Sequence, residues 1–256
     1  MIIIKSKREI DGIRRSGMLA ADVLLYASKL VKEGVTTLDI NNTAAKMIQD
    51  HGAKPACLGY RGFPKEICVS VNDEICHGIP SNRKLVNGDV VKIDVTTILD
   101  GFFGDTAATY IVGHGNSSTQ QLRDITLLSL QYGLNEVQPG VRVGKIGHVI
   151  SCLAADYGYS VVDDYAGHGC GIHFHEEPQI LHICKENYGS IMQSGMTFTI
   201  EPMLCQNSSK TMVGVDKWTA KTIDGGLSAQ FEHTVLVTET GYEILTLPSV
   251  GKAFVS

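Results

Sequence analysis

The sequence predicts a mixed α/β (α+β) fold of two related halves, each a helix pair followed by strands. Three observations predict it. Amphipathic helical stripes come in pairs, and each pair is followed by short alternating strands. Segment 90–106 alternates Val91, Ile93 and Val95 with Lys92 and Asp94, and Asp100-Gly101 then signals a two-residue hairpin. Finally, Gly34-Val35, Ile40, Asp50 and Gly52 reappear as Gly140-Val141, Ile146, Asp156 and Gly158, each 106 residues further on. That interval is too long for a solenoid repeat. It points to two related halves joined in one domain, with a site between them.

Composition bounds the rest. The chain has 256 residues, 43% of them apolar, with no repetitive or strongly polar run, so a folded core is expected. The expected organisation is a single domain over 1–256, with halves of roughly 1–115 and 116–256. The net charge of −5 is dispersed, which argues against nucleic acid as a partner. No apolar run reaches membrane-spanning length, and the start Met1-Ile-Ile-Ile-Lys5 does not read as a signal peptide. Seven scattered cysteines without a Cys-x-x-Cys pair fit a reducing, cytoplasmic compartment.

In chain order, Ser6 and Glu9 form a capping box that opens a helix. Its apolar stripe is Ile10, Ile13, Gly17, Ala20, Leu24, Ala27 and Val31, and Gly34 ends it. Thr36 and Thr37 start a second helix that stops at His51-Gly52. Short strands follow over 56–71, and Asn72-Asp73 turns the chain. His77 lies in the tight segment that ends at Pro80, and Asn87-Gly88-Asp89 turns into the Asp94 strand. The returning strand spans 102–110. A third helix opens at a second capping box, Ser118 with Gln121, and breaks at Pro139-Gly140. Gly167-His168-Gly169-Cys170-Gly171 allows backbone to pack close to a ligand. His173, Phe174 and His175 alternate in a strand-like run that Glu176-Glu177-Pro178 ends. Two more strands follow, one ending at Glu201-Pro202 and one over 230–237 that Glu232 enters. Residues after Leu247 read as a short tail.

If Asp100 and Gly101 make the turn, Asp94 pairs with Ala107 and Asp105 is its diagonal neighbour on the same face. Two carboxylates so close repel unless a cation holds them. The candidate ligands are Asp94, Asp105, His168, Glu201 and Glu232, a set that suits a pair of divalent first-row metals. Such a pair lowers the pKa of a bridging water and needs carboxylates that bridge. Taken singly, each acid also reads as a solvated or capping residue. His77 and His173 read as structural, and Cys170 as packing. The argument for chemistry is the joint pattern.

That pattern closely resembles type I methionine aminopeptidase over nearly the whole chain. The residues that carry the resemblance are Cys-Leu-Gly-Tyr-Arg-Gly-Phe-Pro-Lys at 57–65, Val-Asn-Asp-Glu-Ile-Cys-His-Gly-Ile-Pro at 71–80, Lys-Ile-Asp-Val-Thr at 92–96 and Gly-Asp-Thr-Ala at 104–107. Gly-His-Gly-Cys-Gly at 167–171, Phe-His-Glu-Glu-Pro at 174–178, Thr-Phe-Thr-Ile-Glu-Pro-Met at 197–203 and Ser-Ala-Gln-Phe-Glu-His-Thr at 228–234 complete them.

The resemblance implies the pita-bread fold, a pseudo-two-fold repeat of helix pairs and strands around a central antiparallel sheet, and a catalytic domain that removes initiator Met from nascent chains whose second residue is small. It implies two divalent ions, from among Co, Mn, Fe, Zn and Ni. Asp105 and Glu232 would bridge them, His168 and Glu201 would complete one, and Asp94 the other. A hydroxide bridging the metals would attack. Glu201 would take the proton from the attacking water. His77 would contact substrate, and His175 the scissile carbonyl. Cys57, Tyr60, Phe63, Cys68, Phe174 and Trp218 would wall the Met pocket, which thiols and aromatics suit. It also implies a monomer that works at the ribosome. Arg61 and Phe63 depart from the family, which commonly has His or Tyr there, and Ile172-His173 is a variable pair. Neither an N-terminal zinc-binding extension nor the helical insertion of type II enzymes is visible, so a compact bacterial-type form is expected. The competing expectations are an Xaa-Pro aminopeptidase or prolidase, and a pita-bread protein that binds without catalysis.

Overall fold

A computed structural model describes residues 1–250; residues 251–256 of the expected tail lie outside the described residues. Helix α1, Lys7–Ser28, opens on the expected capping box: the Ser6 N–H donates to Glu9 Oε2 at 2.7 Å and the Glu9 N–H to Ser6 Oγ at 3.4 Å. It stops before the expected Val31. The N–H groups of Lys29, Leu30 and Val31 bond three residues back, to Tyr26, Ala27 and Ser28, so the last turn tightens and leaves the helix. Helix α2, Thr37–Asp50, is capped by Thr36 and Asp39. Helix α3, Ser117–Asn135, corrects the second expected capping box. Its cap is Asn116, whose side-chain oxygen accepts from the Thr119 N–H at 2.8 Å. Ser118 and Gln121 instead bond Gln206 and Tyr159 on neighbouring segments. Helix α4 is Gly144–Asp156.

The repeated residues make repeated contacts. Gly34 and Gly140 share a left-handed conformation (φ +84° and +87°), as do Gly52 and Gly158 (+70° and +76°). Gly34 N–H donates to Leu85 O, and the Leu85 N–H returns to Val35 O. Gly140 N–H donates to Met192 O, and the Met192 N–H returns to Val141 O. Ile40 and Ile146 are both fully buried under their helices.

Every strand pairing is antiparallel. In the first half, strand Val90–Leu99 pairs with Lys54–Pro55, Cys68–Val71 and Phe102–Ile111. The strands expected over 56–71 reduce to Cys68–Val71, with the turn Tyr60–Gly62 before it. In the second half, the order is Tyr242–Ile244, His233–Val237, Thr197–Ile200, Gly167–Gly169, Glu176–Ile180. Two smaller sheets flank these.

Threonine hydroxyls join the halves. Thr106 Oγ1 donates to Glu232 O (2.8 Å), Thr109 Oγ1 to Gln230 O (2.6 Å) and Thr234 Oγ1 to Asp105 O (2.8 Å), while the Glu232 N–H donates to Ala107 O (2.8 Å). These buried groups would be costly unpaired, so they hold the seam in one register. On the other side of the hairpin, α1 lies against strand Phe102–Ile111. A Cβ on Gly104 would sit 2.3 Å from Gly17 N, so only glycine allows this approach.

Two expected strands are different in the structure. Residues 173–175 are not extended. The Glu176 carboxylate accepts the N–H groups of both Ile172 and His173 at 2.7 Å, folding the segment into a bend, and the strand begins at Glu176. The run 230–237 is two strands, Ser228–Gln230 and His233–Val237, broken at Phe231-Glu232 where the Glu232 N–H turns to the other half.

Candidate metal centre

The hairpin sets the first two acids. Asp94 pairs with Ala107 and Asp105 with Thr96, which places both carboxylates on one face. The turn residues Asp100 and Gly101 both have positive φ (+53° and +84°), as a type I′ turn requires. Glu201 lies just beyond strand Thr197–Ile200, where Pro202 ends pairing, and Glu232 lies in the break described above. His168 sits in Gly167–Gly169 beside a register shift. The seam therefore brings all five sequence candidates to the lining of one pocket.

Ligand atoms of Asp105, His168 and Glu232 lie within 4.8 Å of one another. His168 Nε2 is 3.8 Å from Asp105 Oδ2 and 3.7 Å from Glu201 Oε1. His168 Nδ1 is 3.0 Å from Gly169 O, and a carbonyl only accepts, so Nδ1 carries the proton. Nε2 then presents a lone pair to two carboxylates. Burial pushes the His168 pKa down to about 4, so this imidazole is neutral and the contacts are not ion pairs. Burial raises Asp94 to about 7. It lifts Asp105, Glu201 and Glu232 well above the usual carboxylate range, and their mutual repulsion adds to this. Asp105, His168 and Glu232, with Asp94 and Glu201 in the same pocket lining, offer one imidazole lone pair and four carboxylates, a donor set that would hold divalent metal.

The supporting partners were not singled out from sequence. Thr96 Oγ1 donates to Asp105 Oδ1 (2.7 Å) and Thr199 Oγ1 to Glu201 Oε1 (2.8 Å). Gln230 Nε2 donates to Glu201 Oε2 at 3.4 Å. Each of these three lies on a strand two residues before or after a candidate acid, and that spacing is a usable signal. His182 has no such signal. It is buried, and its Nε2 accepts the Glu201 N–H at 3.1 Å.

The pocket has a volume of about 470 Å³. Cys57, Phe63 and Cys68 form a buried apolar cluster against Phe174 and Trp218. Phe63 meets Trp218 edge-on at 5.2 Å, and Tyr60 meets Phe174 at 4.9 Å. All six expected wall residues line the pocket, with His77 and His175. His77 holds a left-handed backbone (φ +56°), and burial lowers its pKa. Its ring is edge-on to Tyr165 at 5.3 Å. His175 is 4.1 Å from the His168 ring and stacks on Tyr60 at 5.2 Å. Burial first, then the nearby His168, Arg61 and His77, push His175 down to about 3.

The sequence profile of metallopeptidase family M24 matches residues 11–239. This chain belongs to metallopeptidase family M24. Methionine aminopeptidase A of Synechocystis sp. is 46% identical over 247 residues, covering 96% of this chain and 98% of that protein. The methionine aminopeptidase of Escherichia coli K12 is 45% identical over 248 residues, covering 96% and 94%. The crystal structure of methionine aminopeptidase from Rickettsia prowazekii superposes with a TM-score of 0.95 at 44% identity, over 96% of this chain and all of that one. A prolidase from Pyrococcus horikoshii shares the fold alone, at a TM-score of 0.77 and 22% identity, and this chain spans 66% of it. The M24 pita-bread fold expected from the sequence therefore stands. M24 enzymes are metallopeptidases, and among the described residues the carboxylate–imidazole cluster is the donor set that fits a divalent ion.

Proposed function

We propose that this M24 chain is a methionyl aminopeptidase, releasing initiator Met from nascent chains whose second residue is small. One observation carries the reading: five metal-type donors line a pocket that the thiol and aromatic side chains also line, with Cys68 directly across the strand pair from Asp94. The whole chain would act as one catalytic domain, its halves meeting at the threonine seam. Two ions, from among Co, Mn, Fe, Zn and Ni, suit four carboxylates and one imidazole. Asp94, Asp105, His168, Glu201 and Glu232 would hold them. When bound, such ions supply Lewis acidity that acidifies water and polarises a carbonyl.

The protein's own groups supply the rest. The unbranched Met side chain enters between Cys57, Cys68, Phe63 and Trp218, where sulfur–aromatic contacts contribute about 0.3–1.5 kcal/mol each. The free α-amine lies toward Asp94, which makes the enzyme an exopeptidase. Glu201, aimed by Thr199 and Gln230, accepts the proton of the attacking water and passes it to the leaving amine. His175 is neutral at physiological pH and donates to the carbonyl oxygen as negative charge develops there. His77 contacts the substrate from the pocket edge. Its substrate would be met in the cytoplasm as chains leave the ribosome, by a monomer. The free cysteines fit that compartment, and no helix among the described residues is long and apolar enough to cross a membrane.

A peptide panel tests the reading. With added divalent metal, Met-Ala-Ser is expected to be cleaved far faster than Leu-Ala-Ser or Met-Lys-Ser, and an Xaa-Pro dipeptide not at all. Comparable kcat/KM for Met-Ala-Ser and Leu-Ala-Ser would refute the pocket, and preferred Xaa-Pro cleavage would favour the prolidase reading. No turnover of any peptide with any metal would favour a binding module.

His175→Ala is expected to lower kcat by about 10²–10³-fold, the effect of losing one donor to a developing oxyanion, with a much smaller rise in KM. Metal content should equal that of wild type. A fall in bound metal would make His175 a ligand and overturn its role as donor.

A further inference from the structure

Arg61 brings a positive charge without a carboxylate partner to the lining of the pocket. It sits in the turn Tyr60–Gly62 with φ +48°, between Gly59 (+80°) and Gly62 (+90°). A side chain in this left-handed region is disfavoured by about 1–2 kcal/mol, so the surrounding bonds must hold it. They do: the Gly59 N–H donates to Phe63 O (2.8 Å), and the Phe63 N–H returns to Tyr60 O (2.9 Å). The guanidinium lies 5.4 Å from the centre of the Tyr60 ring, which in turn stacks on His175 at 5.2 Å and 21°. The guanidinium is thus no farther from the His175 imidazole than these two spacings combined. From a first carbonyl at His175, two extended residues at about 3.3 Å each reach the third residue, and a long acidic side chain there covers the remainder.

Nothing already occupies this charge. Arg14, Arg15, Arg83 and Arg123 each have a carboxylate within ion-pair distance; among the described residues Arg61, like Arg8 and Arg142, has none, and of these three Arg61 is the one that lines the pocket. Asp164, which also lines the pocket, is bonded to Thr211 Oγ1. A guanidinium resting on an aromatic face is weakly hydrated, and its planar donors match a carboxylate in a bidentate fashion.

We propose that Arg61 is a specificity-determining residue, selecting peptides with an acidic side chain at the third residue. The proposal rests on the aminopeptidase reading, which puts the first carbonyl at His175. An extended peptide then carries its third residue outward past Tyr60 to the guanidinium. A carboxylate there gains an ion pair, and a lysine there meets a like charge.

The test uses C-terminally amidated Met-Ala-Xaa-Ser peptides with Xaa as Glu, Gln or Lys, so that the only acid is the one tested. Wild-type enzyme is expected to favour Glu over Lys by about five- to tenfold in kcat/KM at low ionic strength, as an exposed attraction and repulsion together allow. The preference should shrink toward unity in 1 M salt. Arg61→Gln should abolish it and Arg61→Glu should invert it. The readout is a ratio within one enzyme, so any general loss from disturbing the turn cancels, and the salt response of wild type gives a reading that needs no variant. The same Glu/Lys ratio in wild type and Arg61→Gln, or a ratio insensitive to salt, overturns the proposal. Absence of cleavage of all Met-Ala peptides overturns the aminopeptidase reading as well, whereas cleavage without a charge preference overturns this proposal alone.

Discussion

Glu201→Ala is expected to lose almost all turnover, by more than the roughly 10²–10⁴-fold that loss of a general base alone costs. The reason is that one carboxylate serves two purposes in the proposed site. It is a metal donor facing the His168 lone pair, and it is the base for the attacking water. Its orientation is held from three sides, by Thr199 Oγ1, by Gln230 Nε2 and through its backbone by His182. Alanine removes the donor and leaves the Thr199 and Gln230 side chains without their acceptor in a buried space. Glu201→Gln separates the two purposes, because an amide oxygen still coordinates but cannot take a proton. Bound metal should therefore fall further in Glu201→Ala than in Glu201→Gln, with turnover nearly lost in both. The measurement is kcat at saturating metal together with metal content. A variant that keeps a tenth of the wild-type kcat would sink the assignment.

What could be read in the sequence follows the range of the forces involved. The hairpin register was legible because Asp100-Gly101 fixes it locally, and it correctly opposed Asp94 to Ala107. The gathering of five donors was legible from the joint pattern and the resemblance. The cap of α3 was not. Asn116 caps the helix and Ser118 lies in its first turn, where its hydroxyl accepts from Gln206, far along the chain. The break at Phe231-Glu232 was hidden for the same reason. Periodicity reads 230–237 as one strand, but the Glu232 N–H bonds across the seam to Ala107 rather than along a ladder. His182 carries no local signal, since its partner is a backbone N–H contributed by another strand's end. At the α3 cap, the Glu232 break and His182, long-range polar partners chose between local solutions that the sequence left nearly equal.

The other large effect is expected from the N-terminal segment. Lys5→Met should destabilise the fold by about 3–5 kcal/mol, the usual result of removing one member of a buried ion pair. Lys5 Nζ lies 2.6 Å from Glu176 Oε2, and both side chains are only 1% exposed. The Lys5 N–H also donates to Gly195 O at 2.9 Å, which ties the segment down. The other oxygen of Glu176 accepts the N–H groups of Ile172 and His173, and so shapes the bend that presents Phe174 and His175 to the pocket. Methionine in place of Lys5 leaves a buried carboxylate with backbone donors alone. The melting temperature should fall by roughly 10 °C for a chain of this size, and kcat should fall with the loosened bend. Lys5→Met/Glu176→Gln provides the control. A neutral amide needs no cation, and its oxygen still accepts from residues 172 and 173, so the double variant should regain most of the lost stability. Thermal unfolding of wild type, both single variants and the double variant completes the cycle. If Lys5→Met melts within 1 °C of wild type, the pair does not hold the bend, and the position of His175 must be set by its aromatic neighbours alone.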